Sequence, residues 1–356
     1  MKQRILYVGM DVHLLCIVIC VMDQQGKILS RSVIETSTQA VKDFFHSLRG
    51  QVHATFEEGT LAAWLYDVVE PLVHRLIVCN PKYNKQWMGK NRNDRIDAAT
   101  LAELLRLNAV KAVYHDEHGT RTLKPLMRSY ECFATDITRV KNRLKALYNS
   151  RVIRSRGREL YHVSKREMGI EKLQNAGERK RAELLFLPLE ELKKLKRAAQ
   201  KAMMVDSRKH AAHEILSRVP ELGPVRVAQI IATVDTPYRF RTKRTFWKYL
   251  GCAVEMRSSS DHEIVDGRVQ RRNKQGVETR GLNEDYNRRL KAIFKSAAAH
   301  SCRCGVYKEY YEGLLKRGMR PEMARLAVAR KLTATVLAVW KSGESFDEER
   351  IMSEAA

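Results

Sequence analysis

Three β-rich runs followed by alternating helical and extended patterns constrain residues 5–78 more tightly than any other feature of the chain. Residues 5–11 (ILYVGMD), 14–22 and 28–34 are dense in Ile, Val and Leu, and the Asp23-Gln24-Gln25-Gly26 link between the last two has the composition of a hairpin turn. Helical spacing over 38–48 and 62–73 brackets a strand at 52–57, and a further strand lies at 76–78. A meander of three strands and then helix-strand units predicts an α/β layer fold, with antiparallel strands first and parallel strands added later. In such a sheet the first and fourth strands are neighbours.

Both of those strands end in an acid, Asp11 on the first and Glu57 on the fourth. Downstream, residues 91–106 (NRNDRIDAATLAELLR) have the marks of a helix start: Asn93 or Asp94 can cap, and Ile96, Leu101, Leu104 and Leu105 form an apolar stripe. Asp94 and Asp97 then share one helix face. A helix dipole favours acids in its first turn whatever their job, and Asp11 and Glu57 could merely end strands, so the four carry weight only together. Glu58 and Asp116 are equally available, and spacing alone does not force the choice. A ribonuclease H-like sheet would bring Asp11, Glu57, Asp94 and Asp97 together. Four carboxylates without cysteine or histidine partners make a hard-oxygen site suited to Mg²⁺ (or Mn²⁺) and poor for zinc. Clustered acids repel one another, so such a site is unfavourable without a cation.

The 356 residues carry 65 Lys and Arg against 41 Asp and Glu, a net charge of +24, which points to a polyanionic partner, with nucleic acid the leading candidate. No apolar run reaches the length of a membrane span, so a cytoplasmic protein is expected. Seven scattered cysteines without paired spacing fit reduced thiols; Cys302 and Cys304 beside His300 lack the usual zinc spacing. From 122 to 147 apolar residues recur at helical spacing among basic ones, and 171–204 reads as a second long charged helix with a break at Pro188. Residues 213–234 hold two apolar helices around Pro220-Glu221-Leu222-Gly223-Pro224, a helix-hairpin-helix pattern whose turn amides can approach a phosphate backbone; a simple helical hairpin reads the same way. A basic span at 268–280 follows, and the remainder from about 282 is helical. The expected organisation is an α/β domain over 1–121, a basic helical, coiled-coil-like connector over 122–205, a mainly α domain over 206–345 and a short tail over 346–356.

The motifs VGMDVH, FEEGTLAAWLY, NRNDRIDAATLAELLR, VPELGPVRVAQI and FWKYLGCAVEMRSSS together resemble the DEDD-type insertion-sequence transposases, which join a RuvC-like domain to a C-terminal serine transposase domain and have Piv-type DNA invertases as relatives. The resemblance covers most of the chain and is weakest over 123–205. It implies that Asp11, Glu57, Asp94 and Asp97 are the metal-binding acids, Glu57 holding the first position of an E-A-G-like pattern. It also implies a serine nucleophile. The family's proline and Ser-Gly ending are replaced here by Val254 and Ser260; counting from Gly251 favours Ser259, with Ser258 and Ser260 as neighbouring alternatives. DNA strand exchange through a phosphoserine link, an element-encoded bridge RNA as guide and assembly into homo-tetramers are further implications. Arg257, Arg268, Arg271, Arg272 and Lys274 are the candidates for charge around the phosphate. A metal-dependent junction endonuclease without a covalent serine step, or an inactive nucleic-acid-binding remnant, are the competing expectations.

Overall fold

The computed structural model describes residues 4–84, 93–114, 120–154, 159–256, 262–265, 268–271, 279–344 and 346–347. The chain separates into two compact units, Met1–Glu117 and His118–Ala356.

In the first unit β1 (Ile5–Val12), β2 (Cys16–Met22), β3 (Ile28–Glu35), α1 (Thr38–Ser47), β4 (Gln51–Glu57), α2 (Ala62–Val69), β5 (Arg75–Cys79), α3 (Pro81–Asn84) and α4 (Asp94–Arg106) follow one another. The five strands make one mixed sheet in the order β3-β2-β1-β4-β5. β1 is antiparallel to β2 and parallel to β4, so the expected adjacency of the first and fourth strands holds. The turn into β3 is set locally: Asp23 Oδ1 accepts from the backbone N–H groups of Gln25 and Lys27, and Gly26 takes a φ of 87°.

Strand alternation divides the sheet's two faces. Leu6, Val8 and Met10 of β1, Ile17, Ile19 and Val21 of β2, and Val52, Ala54 and Phe56 of β4 pack with Val41, Phe45, Leu65 and Val69 of α1 and α2. The opposite face receives α4 through small residues: Val18 and Cys20 meet Ala98. Gly9 lets the helix come this close. A Cβ built on Gly9 would lie 3.1 Å from Ala102 Cα and nearer still to Ala98 O and Ala102 N, all backbone atoms. Asn93 caps α4 by accepting from the Ile96 N–H at 2.9 Å. The inner stripe differs from the expected one at its first member. Ile96 is 43% exposed, whereas Ala98, Leu101, Ala102, Leu104 and Leu105 are buried; the alanines, which periodicity by large apolar residues passes over, make the contact.

The second unit is built on two long helices, α5 (Leu123–Asn149) and α7 (Ala176–Ser207), with α6 (Arg166–Glu171) in the connection between them. They pack antiparallel, since Leu144 and Leu147 near the end of α5 share a cluster with Leu173, just before α7, and Ala182 and Phe186 on it. Pro188 does not break α7. Pro188, Leu184 and Leu187 are exposed, so the Leu184 carbonyl that loses its N–H donor lies on the solvent side, where water can replace it.

Beyond this arm come α8 (Ala211–Ser217), α9 (Pro224–Val234), α10 (Lys243–Tyr249), β6 (Val254–Met256), β7 (His262–Val265), β8 (Arg268–Arg271), β9 (Thr279–Leu282), α11 (Arg288–Cys304), α12 (Lys308–Lys316) and α13 (Pro321–Ser342). The short strands form two ribbons, β6 with β9 and β7 with β8, of which β8 and the first half of β9 fall in the span read from sequence as basic, 268–280. At three or four residues each, they are too short to show a period. α8, α9, α10, α11 and α13 close on the beginning of α5 and the end of α7 around Met127, Met203, Ile231, Phe246, Phe294 and Leu332. Glu131 ties α5 to two neighbours, accepting from Gln229 at 2.9 Å and pairing with Arg289 at 2.6 Å. The link between α8 and α9 turns Glu221 inward, where it accepts from the Val306 N–H at 3.3 Å and meets His300 Nδ1 at 3.2 Å. All seven cysteines are free thiols. Among the described residues no helix is long and apolar enough to cross a membrane.

Candidate metal centre

Asp11 lies one residue before the end of β1 and on the sheet face that carries α4, because Met10 points into the opposite core. The Asn93 cap and the Gly9 contact fix where α4 begins, and its first residue is Asp94. His13, in the turn leaving β1, stands between them: its Nε2 is 3.2 Å from Asp11 Oδ2 and 3.6 Å from Asp94 Oδ2. One ligand atom from each of the three falls within 4.8 Å of the others. The turn is braced, His13 N–H donating to Cys16 O at 3.0 Å and Thr36 Oγ1 to His13 O at 2.8 Å.

Asp97 is one helical turn beyond Asp94 and Glu57 is the last residue of β4. The Met10–Phe56 pairing brings the acids on the next step of each strand, Asp11 and Glu57, to the same edge and the same face. Glu57 lines a cavity of about 390 Å³ together with His13, Leu14 and Thr60. Asp11 and Asp94 are therefore joined directly through His13, Asp97 acts on Asp11 through its charge, and Glu57 stands at the rim. Burial pushes the Asp11 carboxyl above its ordinary value; His13 opposes the shift, and the charges of Asp94 and Asp97 add to it.

The expectation of a site without histidine is corrected by His13. Its signal is the second residue after Asp11 in VGMDVH, where the end of β1 turns back toward the acids. The donor set is thus two carboxylates with an imidazole at hand, and mutually repelling acids fit a bound cation: carboxylate oxygens suit Mg²⁺ and Mn²⁺, and the imidazole offers a nitrogen ligand. Of the other predicted residues, Arg268 opens β8 and is exposed, and Arg271 ends the same strand. Arg257, Ser258, Ser259, Ser260, Arg272 and Lys274 lie outside the described residues.

A pH prediction follows from the Asp11 shift. Because this carboxyl titrates above 3.8 in the folded chain, the folded state keeps a proton over a range in which the unfolded state has released it. Stability is then lost as pH rises through that range, and the ionised Asp11 is a net cost at neutral pH without metal. Asp11→Asn is expected to melt higher than the wild type at pH 7 in EDTA, with the difference closing toward pH 3.5. Equal melting curves at pH 7 would show that the carboxyl is not under strain.

A mixed sheet with acids at the ends of its two central strands and on the helix across one face is the build of a RuvC-like core. A family model described as a transposase, of the DEDD and IS110 type, matches residues 8–150, and a second, described as the transposase IS116/IS110/IS902 family, matches residues 213–312. Together they take in about two thirds of the chain, one in each unit for the most part. The chain belongs to the IS110 family of insertion-sequence transposases, enzymes of DNA transposition and recombination. No curated protein matches it.

Proposed function

We propose that this transposase exchanges DNA strands with two sets of residues: Asp11, Glu57, Asp94 and Asp97 in the first unit, which hold Mg²⁺ or Mn²⁺, and Ser259 in the second, which attacks the DNA. The observation that carries the first half is the convergence of Asp11, His13 and Asp94 on one point at the end of the central strands. A divalent cation held there supplies Lewis-acid stabilisation of charge at a phosphodiester. His13 lies between the two carboxylates, its Nε2 3.2 Å from Asp11 and 3.6 Å from Asp94, and would offer a nitrogen ligand beside them.

Ser259 rests on its spacing from Gly251 and on the family resemblance. Its Oγ forms a bond to phosphorus as the bond from phosphorus to a sugar oxygen breaks; the serine proton goes to a base and the leaving oxygen takes one up. Rejoining reverses these events with a different sugar hydroxyl. Arg257, Arg268, Arg271, Arg272 and Lys274 surround this serine in sequence and supply positive charge to the phosphate. The turn between α8 and α9 offers backbone amides to a neighbouring phosphate in the manner of a helix-hairpin-helix. A guide RNA selects the DNA, and the active assembly is a homo-oligomer, a tetramer by the resemblance.

Trapping the reaction on a nicked DNA substrate, digesting the protein and locating the nucleotide adduct by mass spectrometry tests the serine. An adduct on Ser259 is expected; one on Ser258 or Ser260 corrects the position, and efficient cleavage with no adduct makes the enzyme a hydrolase. Affinity for nucleic acid is expected to fall steeply with salt, since each neutralised phosphate releases counterions, with log K against log[salt] sloping by about −0.9 per contact on duplex DNA. A flat dependence would remove the basic segments from the contact surface.

A further inference from the structure

We propose that a cavity in the second unit, between α10, α12 and α13, binds one unpaired nucleotide of a single strand. It measures about 650 Å³, within the roughly 300–1,000 Å³ of small-ligand sites, and its lining includes Lys243, Trp247, Tyr310, Arg330 and Lys331. Two cations lie over Trp247 and one over Tyr310. Lys243 Nζ and Arg330 Cζ lie 6.0 and 5.9 Å from the centre of the Trp247 ring, and Lys331 Nζ lies 4.6 Å from that of Tyr310. Aromatic rings with cations over them put stacking surface and positive charge in one place, which is what a base and its phosphate require at once, and no particular base is demanded.

The walls are held before any ligand arrives. Trp247 Nε1 donates to Arg330 O at 3.0 Å, and Arg330 Nε donates to Cys252 O at 2.7 Å, so the indole is tied to the backbone of α13 and the guanidinium to the backbone just after α10. Two carboxylates also line the cavity, Glu344 and Asp347, from the chain just after α13. They stand among the cations that a phosphate would meet, in a protein whose net charge is +24. Their negative charge in the same cavity opposes an incoming phosphate. This site involves none of the acids of the first unit.

Photocrosslinking of the full-length protein to single strands carrying 5-iodouracil tests the assignment, with a DNA arm, an RNA arm and free thymidine monophosphate as competitor. Adducts on Trp247 or Tyr310 are expected, and the arm with the greater yield names the strand. Lys243→Ala with Lys331→Ala is expected to lower that adduct by about tenfold and to make the salt slope shallower by about 1.4, two single-strand contacts' worth. Glu344→Gln with Asp347→Asn should raise it, at unchanged melting temperature. Competition by the free mononucleotide at concentrations equal to the strand's would make this a small-molecule site and overturn the proposal. So would crosslinks confined to other segments, or an adduct indifferent to both pairs of substitutions.

Discussion

Alanine at Asp11 or Asp94 is expected to reduce recombination of element-end DNA by at least about 10³-fold, some 4 kcal/mol of transition-state stabilisation, without unfolding the chain. The expectation follows from the geometry of the cluster. Asp11 and Asp94 offer oxygens to one point, with His13 between them at 3.2 and 3.6 Å, so removing either takes away one of the two carboxylates that meet there. Neither substitution opens a hole in a core: Asp94 is 60% exposed, and the loss of Asp11 relieves a charge that burial disfavours. Glu57→Ala and Asp97→Ala are expected to fall in the same direction. Assays of recombination beside melting curves separate chemistry from folding. Full activity in the Asp94 variant would remove that acid from the site.

Gly9→Ala is expected to disable the enzyme as thoroughly by another route. The added methyl group would overlap the backbone of Ala98 and Ala102, which no rotamer change can move aside. α4 must lift from the sheet, at about 1–3 kcal/mol for an overpacked contact, and it carries Asp94 and Asp97 with it. Melting should drop by several degrees, and recombination should be lost at temperatures where the variant is still folded. Gly9→Ala with Ala98→Gly would not rescue it, since the overlapped atoms at Ala98 and Ala102 are main-chain. A variant with wild-type stability and activity would mean that α4 does not press on β1.

The strand order was legible because β1, β2 and β3 are dense in branched apolar residues and Asp23 and Gly26 mark the turn. From that order the adjacency of Asp11 and Glu57 followed, as did the place of the Asp94 helix. What held α4 to the sheet was not legible, for contact through Gly9, Ala98 and Ala102 leaves no trace in a pattern of large apolar residues. His13 escaped because metal sites of this kind are read by counting carboxylates, while its position depends on a turn pinned from β3 by Thr36. Pro188 misled in the opposite sense: proline ends a helix when the freed carbonyl is buried, and here the flanking residues are exposed. In the second unit Glu221 reads as a polar turn residue, yet it is buried against Val306 and His300, partners some 80 residues away in the chain. The pairing of β6 with β9 is likewise a long-range choice, and strands of three or four residues carry too little pattern to announce it.

Melting the wild type, Asp11→Asn and Asp94→Asn at pH 7.5 across a titration of MgCl₂ or MnCl₂ tests the cation site most directly, without DNA or RNA. A ligand that binds the folded state alone raises its stability in proportion to the logarithm of its concentration above Kd. The wild type should start lowest in EDTA, because burial and then the charges of Asp94 and Asp97 oppose the ionised Asp11, and should climb as the metal is added. Both variants should stay nearly flat. Equal climbs in all three proteins, or none in the wild type, would contradict a metal centre built on Asp11 and Asp94.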